Sequence, residues 1–321
     1  MHIDTISRAI LSLVTFVCLI FAMHTSLASV PLSVEPSSPS GQTPIVTFSP
    51  EKTSSYFINS EMLYKEDPEH IETIDTIQNE SLHWKVINRN SPNFGFTPTA
   101  YWFKFQINNT SNSVQAIYLE LPIPFLDSIQ LYQLSDNKVL NSYDVGDQYP
   151  FEQRPIIHQN FVMPLDLVPG INEMYMRVSS AGTVEAPLTL WTPEAHAHAS
   201  SDTNLLQGIW IGILGIMVIY NFLLFLSIKD TSYLYYVGFA IGYLLFQVSL
   251  KGYGFAYLWP NQLHFNSYAI STFIALSNLS VIMLVIKFLE LKVRYPRIHQ
   301  LMLGLALVSG PLFLSTFFVP Y

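Results

Sequence analysis

Charge is scarce in this chain. Of its 321 residues only 12% are Asp, Glu, Lys or Arg, while 50% are hydrophobic and 14% aromatic. A soluble domain carries about a quarter charged residues, so part of the chain is built for a bilayer. Cysteine is nearly missing as well. Cys18 stands alone, which excludes a disulfide scaffold. So many rings at so low a charge density exclude disorder over most of the length. Positive charge is short where it would matter for nucleic acid. Residues 1–200 hold nine Lys and Arg against twenty Asp and Glu, and residues 201–321 hold six against three. An acidic first part repels phosphate, so no nucleic-acid partner is expected. Nucleophile elbow, Gly-rich phosphate loop and metalloprotease helix motif are all missing. The chain is therefore expected to carry no catalytic residues, to use no cofactor and not to be an enzyme by itself.

Residues 1–28 read as a secretory signal. Arg8 precedes an apolar run over 9–23, and Ser26-Leu27-Ala28 supplies small residues before a cleavage point. Residues 29–50 are rich in Ser, Pro, Thr and Gly and are expected to form a flexible lead-in with no fold of its own.

Residues 51–195 are polar enough to be soluble and apolar enough to bury a core. Pro68-Glu69 can open a short helix that carries Ile71, Ile74 and Ile77. Period-two patterns then dominate. Tyr101, Phe103, Phe105 and Ile107 alternate with Trp102, Lys104 and Gln106. Runs over 114–121, 156–163, 174–178 and 188–191, and the pair Ile129 and Leu131, are separated by turn residues. This predicts an all-β sandwich facing outside the cytoplasm.

Candidate site residues follow from ring and charge content. Trp84, Trp102, Tyr132, Tyr149, Phe151 and Trp191 are many rings for one small domain. Flat rings beside Asp and Arg suit a carbohydrate-like ligand, and Arg154 or Arg177 could grip a carboxylate bidentately. Trp102, Asp127, Tyr149, Arg154 and Arg177 are the candidate ligand-binding residues, for a small-molecule or carbohydrate ligand. Asp144 and Asp147 resemble a glycosidase pair only in spacing, and a solvated turn around Gly146 explains them better. His196 and His198 would share a face on an extended segment, but no third ligand is evident, so no metal site is expected.

Residues 204–228 carry no charge and fifteen Leu, Ile, Val or Phe. At ~−0.5 kcal/mol each they favour insertion by roughly 7 kcal/mol, more than the about 3 kcal/mol that one central charge would cost. Runs over 233–250, 266–286 and 301–319 follow, giving four expected spans within 204–321. Lys287, Lys292, Arg294 and Arg297 fall in one connection, which the positive-inside rule places in the cytoplasm. A cleaved signal gives the same orientation, with residues 51–195 in the periplasm and the helices in the inner membrane. Tyr253, Tyr257, Trp259 and Tyr268 mark the outer interface. Gly208 with Gly212, and Gly238 with Gly242, have the spacing that lets helices approach closely. A homodimer is compatible with this spacing.

These residues together resemble a family. Tyr64-Lys65-Glu66-Asp67-Pro68, Tyr101-Trp102-Phe103-Lys104-Phe105, Leu126-Asp127-Ser128-Ile129, Gly146-Asp147-Gln148-Tyr149-Pro150-Phe151 with Arg154, and Tyr175-Met176-Arg177-Val178 are similar to the bacterial seven-transmembrane receptors with diverse intracellular signalling modules. The resemblance continues through 208–221, Tyr233-Leu234-Tyr235-Tyr236 and 252–260. It implies a periplasmic jelly-roll sensor domain like carbohydrate-binding modules, a seven-helix bundle, and a cytoplasmic output of the diguanylate cyclase or histidine kinase type. Three helices and that output would then lie beyond Tyr321, the chain being a truncated form. The alternative is a membrane-anchored module that binds envelope glycan or protein without signalling.

Overall fold

The computed structural model describes residues 43–315, apart from 50–52, 59–60, 80–83, 88–91 and 136–137, with side chains described to residue 307. The expected signal segment and most of the lead-in lie outside these residues.

The first half is a sandwich of two sheets. One contains β3 (Leu63–Asp67), β4 (Lys85–Val86), β6 (Ala100–Asn109), β8 (Ser128–Ser135), β9 (Lys138–Val145) and β11 (Gly170–Ser179), in the order β4-β3-β6-β11-β8-β9. The other contains β2 (Ser55–Ile58), β7 (Gln115–Leu121), β10 (Phe161–Leu167) and β13 (Leu188–Trp191), in the order β10-β7-β13-β2. A small pair, β5 (Asn93–Phe96) and β12 (Thr183–Glu185), stands apart. The chain passes between the sheets at most connections, as in a jelly roll.

One expectation gives way at its end. The lead-in over 29–50 is not without a fold throughout, because β1 (Ile45–Thr47) pairs in parallel with β6. Val46 and Phe48 are 1% exposed there. Two buried apolar side chains outweigh the Pro and Ser content around them.

The alternation read on β6 is what builds the core. Phe103, Phe105 and Ile107 point between the sheets and meet Ile117, Leu119 and Leu121 of β7. On the opposite face Trp102 lies under α1 (Ile74–Asn79), with Ile77, Leu134 and Tyr175. The helix starts later than Pro68 suggested. Asp67 turns the segment first, accepting Ile71 N–H at 3.1 Å, and Ile71 is left exposed. The expected strand over 156–163 is likewise shifted: 156–160 is loop, and β10 begins at Phe161.

The second half is helical. α2 (Pro193–Ile228), α3 (Thr231–Leu250) and α4 (Leu263–Phe288) are long and apolar enough to cross a bilayer. That makes three such helices among the described residues, where the sequence suggested four spans. The fourth run, 301–319, begins within α6 (Pro296–Ser315) and continues past the described residues; α5 (Leu291–Arg294) is a single turn before it. Gly242 explains how closely α3 and α4 pack, since a Cβ there would stand 2.8 Å from Ser277 N. Around Gly208 and Gly212 no atom of another described element comes within 4 Å of such a Cβ. The α2–α3 turn and the basic connection lie at one end, where the Asp230 carboxyl is held below its usual range by bonds from Ser232 and by Lys287. The sandwich sits at the other.

Candidate functional site

The two halves are joined without a linker. β13 ends at Trp191, Thr192 caps α2 by accepting Ala195 N–H at 3.3 Å, and Pro193 opens the helix. At 36 residues the helix is about 54 Å long, against a hydrocarbon core of ~30 Å. Its first turns therefore stand above the membrane against the sandwich.

A second contact locks the halves. Gly252 follows α3 with φ +76°, and a Cβ there would stand 2.7 Å from Pro124 Cβ and 2.8 Å from Gln159 O. Only glycine combines that backbone with that approach. Beside it Tyr253 donates to Asn204 Oδ1 at 2.8 Å, and Gln159 Nε2 lies 3.4 Å from the Tyr253 hydroxyl. Phe255, on the π-helical turn Gly254–Leu258, meets Phe151 edge-on.

Between these contacts lies a cavity of about 670 Å³. Phe125, Asp127, Asp147 and Ala181 line it from the sandwich, and Leu250, His264, Ser267 and Ser271 from the outer ends of α3 and α4. Asp127 is held in place: it accepts from Ser180 Oγ at 3.1 Å and from Ala181 N–H at 2.8 Å. Asp147 N–H donates to Leu126 O at 2.8 Å, which ties the two acidic loops together. Burial, with the Asp127 charge adding to it, pushes the Asp147 carboxyl up to about 7. The cavity thus offers hydroxyls, rings and two carboxyl groups.

The five candidate residues do not converge. Trp102 is fully buried under α1, and its Nε1 has no hydrogen-bond partner among the described residues. Arg177 lies on the same outer face of its sheet and holds Asp67 Oδ2 through Nε and Nη2 at 3.3 and 3.2 Å. The acidic Glu66-Asp67-Pro68 opening and the Arg177 strand are therefore two ends of one buried ion pair. Arg154 is 5% exposed and donates to the carbonyls of His158 (3.1 Å) and Gln159 (2.8 Å). Its guanidinium lies 4.6 Å from the Phe151 ring centre, 4.1 Å from Phe161 and 5.8 Å from Phe255. Burial lowers it to about 10, the Asp147 charge opposing. Tyr149 is half-buried, its hydroxyl pushed up first by burial. Of the five, Asp127 lines the cavity.

A second cluster lies where α2 leaves the sandwich. Glu120 on β7, His158 on the loop before β10 and His196 on α2 bring their ligand-type atoms within 4.8 Å of one another. Asn160 Nδ2 donates to Glu120 Oε1 at 2.6 Å, leaving Oε2 3.9 Å from His196 Nε2. Burial lowers the His158 imidazole. His196 and His198 do not share a face, because the segment is helical and residues two apart point away from each other; His198 is exposed. Both partners of His196 in this cluster come from elsewhere in the chain, and neither is His198. No local pattern marks Glu120 or His158, which only folding brings to His196. Gly252 and Phe255 were equally hidden, although the ring-rich segment 253–259 marked their neighbourhood.

Two family models match the chain. The one described as 7TMR-DISM extracellular 2 covers residues 59–192, and the one described as 7TM diverse intracellular signalling covers 203–321. Among curated proteins none matches. Solved structures resemble the sandwich loosely. A β-glucuronidase from Ruminococcus gnavus in complex with D-glucuronic acid shares 12% identity over 44% of this chain and 29% of its own, at a TM-score of 0.28. A family 35 carbohydrate binding module from Clostridium thermocellum shares 11% over 44% of this chain and 99% of its own, at 0.24. The GH31 α-xylosidase of Xanthomonas citri shares 10% over 43% and 18%, at 0.20. The chain spans less than a third of the first of these.

Proposed function

Because the chain belongs to the seven-transmembrane receptors with diverse intracellular signalling modules, we propose that it is the sensory part of an inner-membrane receptor. The sandwich faces the periplasm and binds a small, neutral, hydroxyl-rich ligand of carbohydrate type in the junction cavity. The ligand's presence is passed through the helices to a cytoplasmic module of the diguanylate cyclase or histidine kinase type.

One observation carries this reading: the cavity has one wall on the sandwich and the other on the outer ends of α3 and α4. A molecule bound there touches both parts, so any change in their packing alters its affinity. By linkage its binding shifts that packing in turn. Each tenfold difference in affinity between two packings is worth about 1.4 kcal/mol of bias. The oxygens of Asp127 and Asp147 favour a ligand that donates hydrogen bonds, and the Asp127 charge disfavours a carboxylate. Serines 267 and 271 with the Phe125 ring suit a hydroxylated ring.

The test is thermal denaturation of the full chain in detergent against a panel of neutral sugars and sugar acids. A ligand at one hundred times its Kd adds about 2.7 kcal/mol of stability. A neutral sugar should stabilise the protein, and Ser267→Trp, which fills the cavity, should abolish the effect. Stabilisation that survives Ser267→Trp places the ligand elsewhere. A panel without any stabilising member contradicts the sensing role and favours a module that only anchors glycan or protein.

A further inference from the structure

We propose that Glu120, His158 and His196 form a binding site for a divalent transition-metal ion of the zinc class, fastening the first membrane helix to the sandwich. The donor set is two imidazoles and one carboxylate, which is chemistry that zinc accepts with a fourth position left for water. Two imidazoles that ligate one tetrahedral ion at about 2.0–2.1 Å have ring centres roughly 5 Å apart. The rings of His158 and His196 are 5.0 Å apart and inclined at 61°. His196 is 6% exposed, and its Nε2 is buried with no hydrogen-bond partner among the described residues. Glu120 Oε2 faces that nitrogen at 3.9 Å. A metal ion satisfies this nitrogen and closes the gap.

The surroundings support the ligands. Asn160 holds Glu120 through Oε1 at 2.6 Å, the outer-shell contact that fixes a ligating carboxylate. The rings of Tyr118 and Trp191 pack around His196. Ser200 Oγ stands 3.2 Å from His158 Nε2, one helical turn beyond His196. One rearrangement is required. Asn160 N–H reaches His158 Nδ1 at 3.1 Å, so the neutral ring carries its proton on Nε2. Coordination through Nε2 moves that proton to Nδ1 and gives up two contacts, this one and the Ser200 hydroxyl at Nε2, in exchange for a metal bond.

The three ligands come from a sheet, a loop and a membrane helix. Occupancy therefore resists any motion of α2 against the sandwich, and it does so away from the sugar-type cavity, whose lining includes none of the three.

The full chain in detergent, stripped by chelator and desalted, is titrated with Co2+ and with Zn2+. The expected result is one ion per chain, the visible bands of tetrahedral Co2+, and displacement of Co2+ by Zn2+. His196→Ala, His158→Ala and Glu120→Gln should each weaken binding at least tenfold. His198→Ala, an exposed neighbour on the same helix, should leave it unchanged. Wild-type protein that shows no tetrahedral Co2+ spectrum overturns the proposal without recourse to any variant. Equal binding by His196→Ala and His198→Ala overturns it as well.

Discussion

Gly252→Ala is the substitution whose effect the structure fixes best. Two costs combine at this position. A non-glycine residue at φ +76° pays about 1–2 kcal/mol for the left-handed backbone. Its Cβ would also stand 2.7 Å from Pro124 and 2.8 Å from the Gln159 carbonyl, and overpacking of this kind costs typically 1–3 kcal/mol. Together they come to ~2–5 kcal/mol. The chain contains its own control. Gly95 has φ +70° with no other described residue, its chain neighbours aside, within 4 Å of an added methyl, so Gly95→Ala carries the backbone cost alone. The difference between the two variants isolates the docking of sandwich on bundle. Denaturation midpoints of both in detergent, with amide exchange over 151–160 and 252–258, measure it. Gly252→Ala should lose at least 1 kcal/mol more and should speed exchange in both segments. Equal losses and unchanged exchange would refute the docking.

Other expectations follow from single side chains. Asp147 has its folded carboxyl raised from 3.8 to about 7, so the folded chain keeps a proton that the unfolded chain has lost between these values. Its contribution is present in full below about 4, falls as pH rises to 7, and is flat above. At 1.36 kcal/mol per unit the ceiling is near 4 kcal/mol, and solvent at this partly exposed group brings it to ~1–2 kcal/mol. Asp147→Asn should therefore be more stable than wild type at pH 8 and equal to it at pH 4, read from melting curves at both. Arg154→Met keeps the apolar stem but strands two carbonyls. It removes two charge-assisted bonds worth about 1.5–3 kcal/mol each, partly offset by relief of burying a cation. A net loss of ~2–3 kcal/mol in urea denaturation is expected, and a stabilised variant would contradict the assigned role. Trp102→Ala opens a cavity under α1 and should cost about 3–5 kcal/mol of stability, measured in the same way, while a stabilising sugar keeps its relative effect.

The sequence revealed the architecture better than the site. Strict alternation from Tyr101 to Ile107 identifies a strand with one face in a core, because side chains on a strand alternate by geometry alone. An uncharged run over 204–228 identifies a span for an equally local reason. Trp102 and Arg177 were candidates for their ring and their charge alone. What one strand cannot reveal is that a short helix covers Trp102, or that Arg177 is already held by Asp67, 110 residues away. The same limit hid the junction. Pro124, Gln159 and Gly252 carry no motif, and the cavity exists only because two separately legible domains meet there. His196 was legible as an oddity, but its partners lie 38 and 76 residues earlier.

The central claim is that the sandwich is docked on the outer end of the bundle and does not swing from a tether. A pair of spin labels tests it, one at exposed Glu152 on the sandwich and one at exposed Tyr257 beyond α3, with Cys18 replaced by Ser and the full chain in lipid nanodiscs. Dipolar spectroscopy should return one narrow distance distribution. A broad distribution, spread over tens of ångströms like that of a flexible linker, would contradict the account.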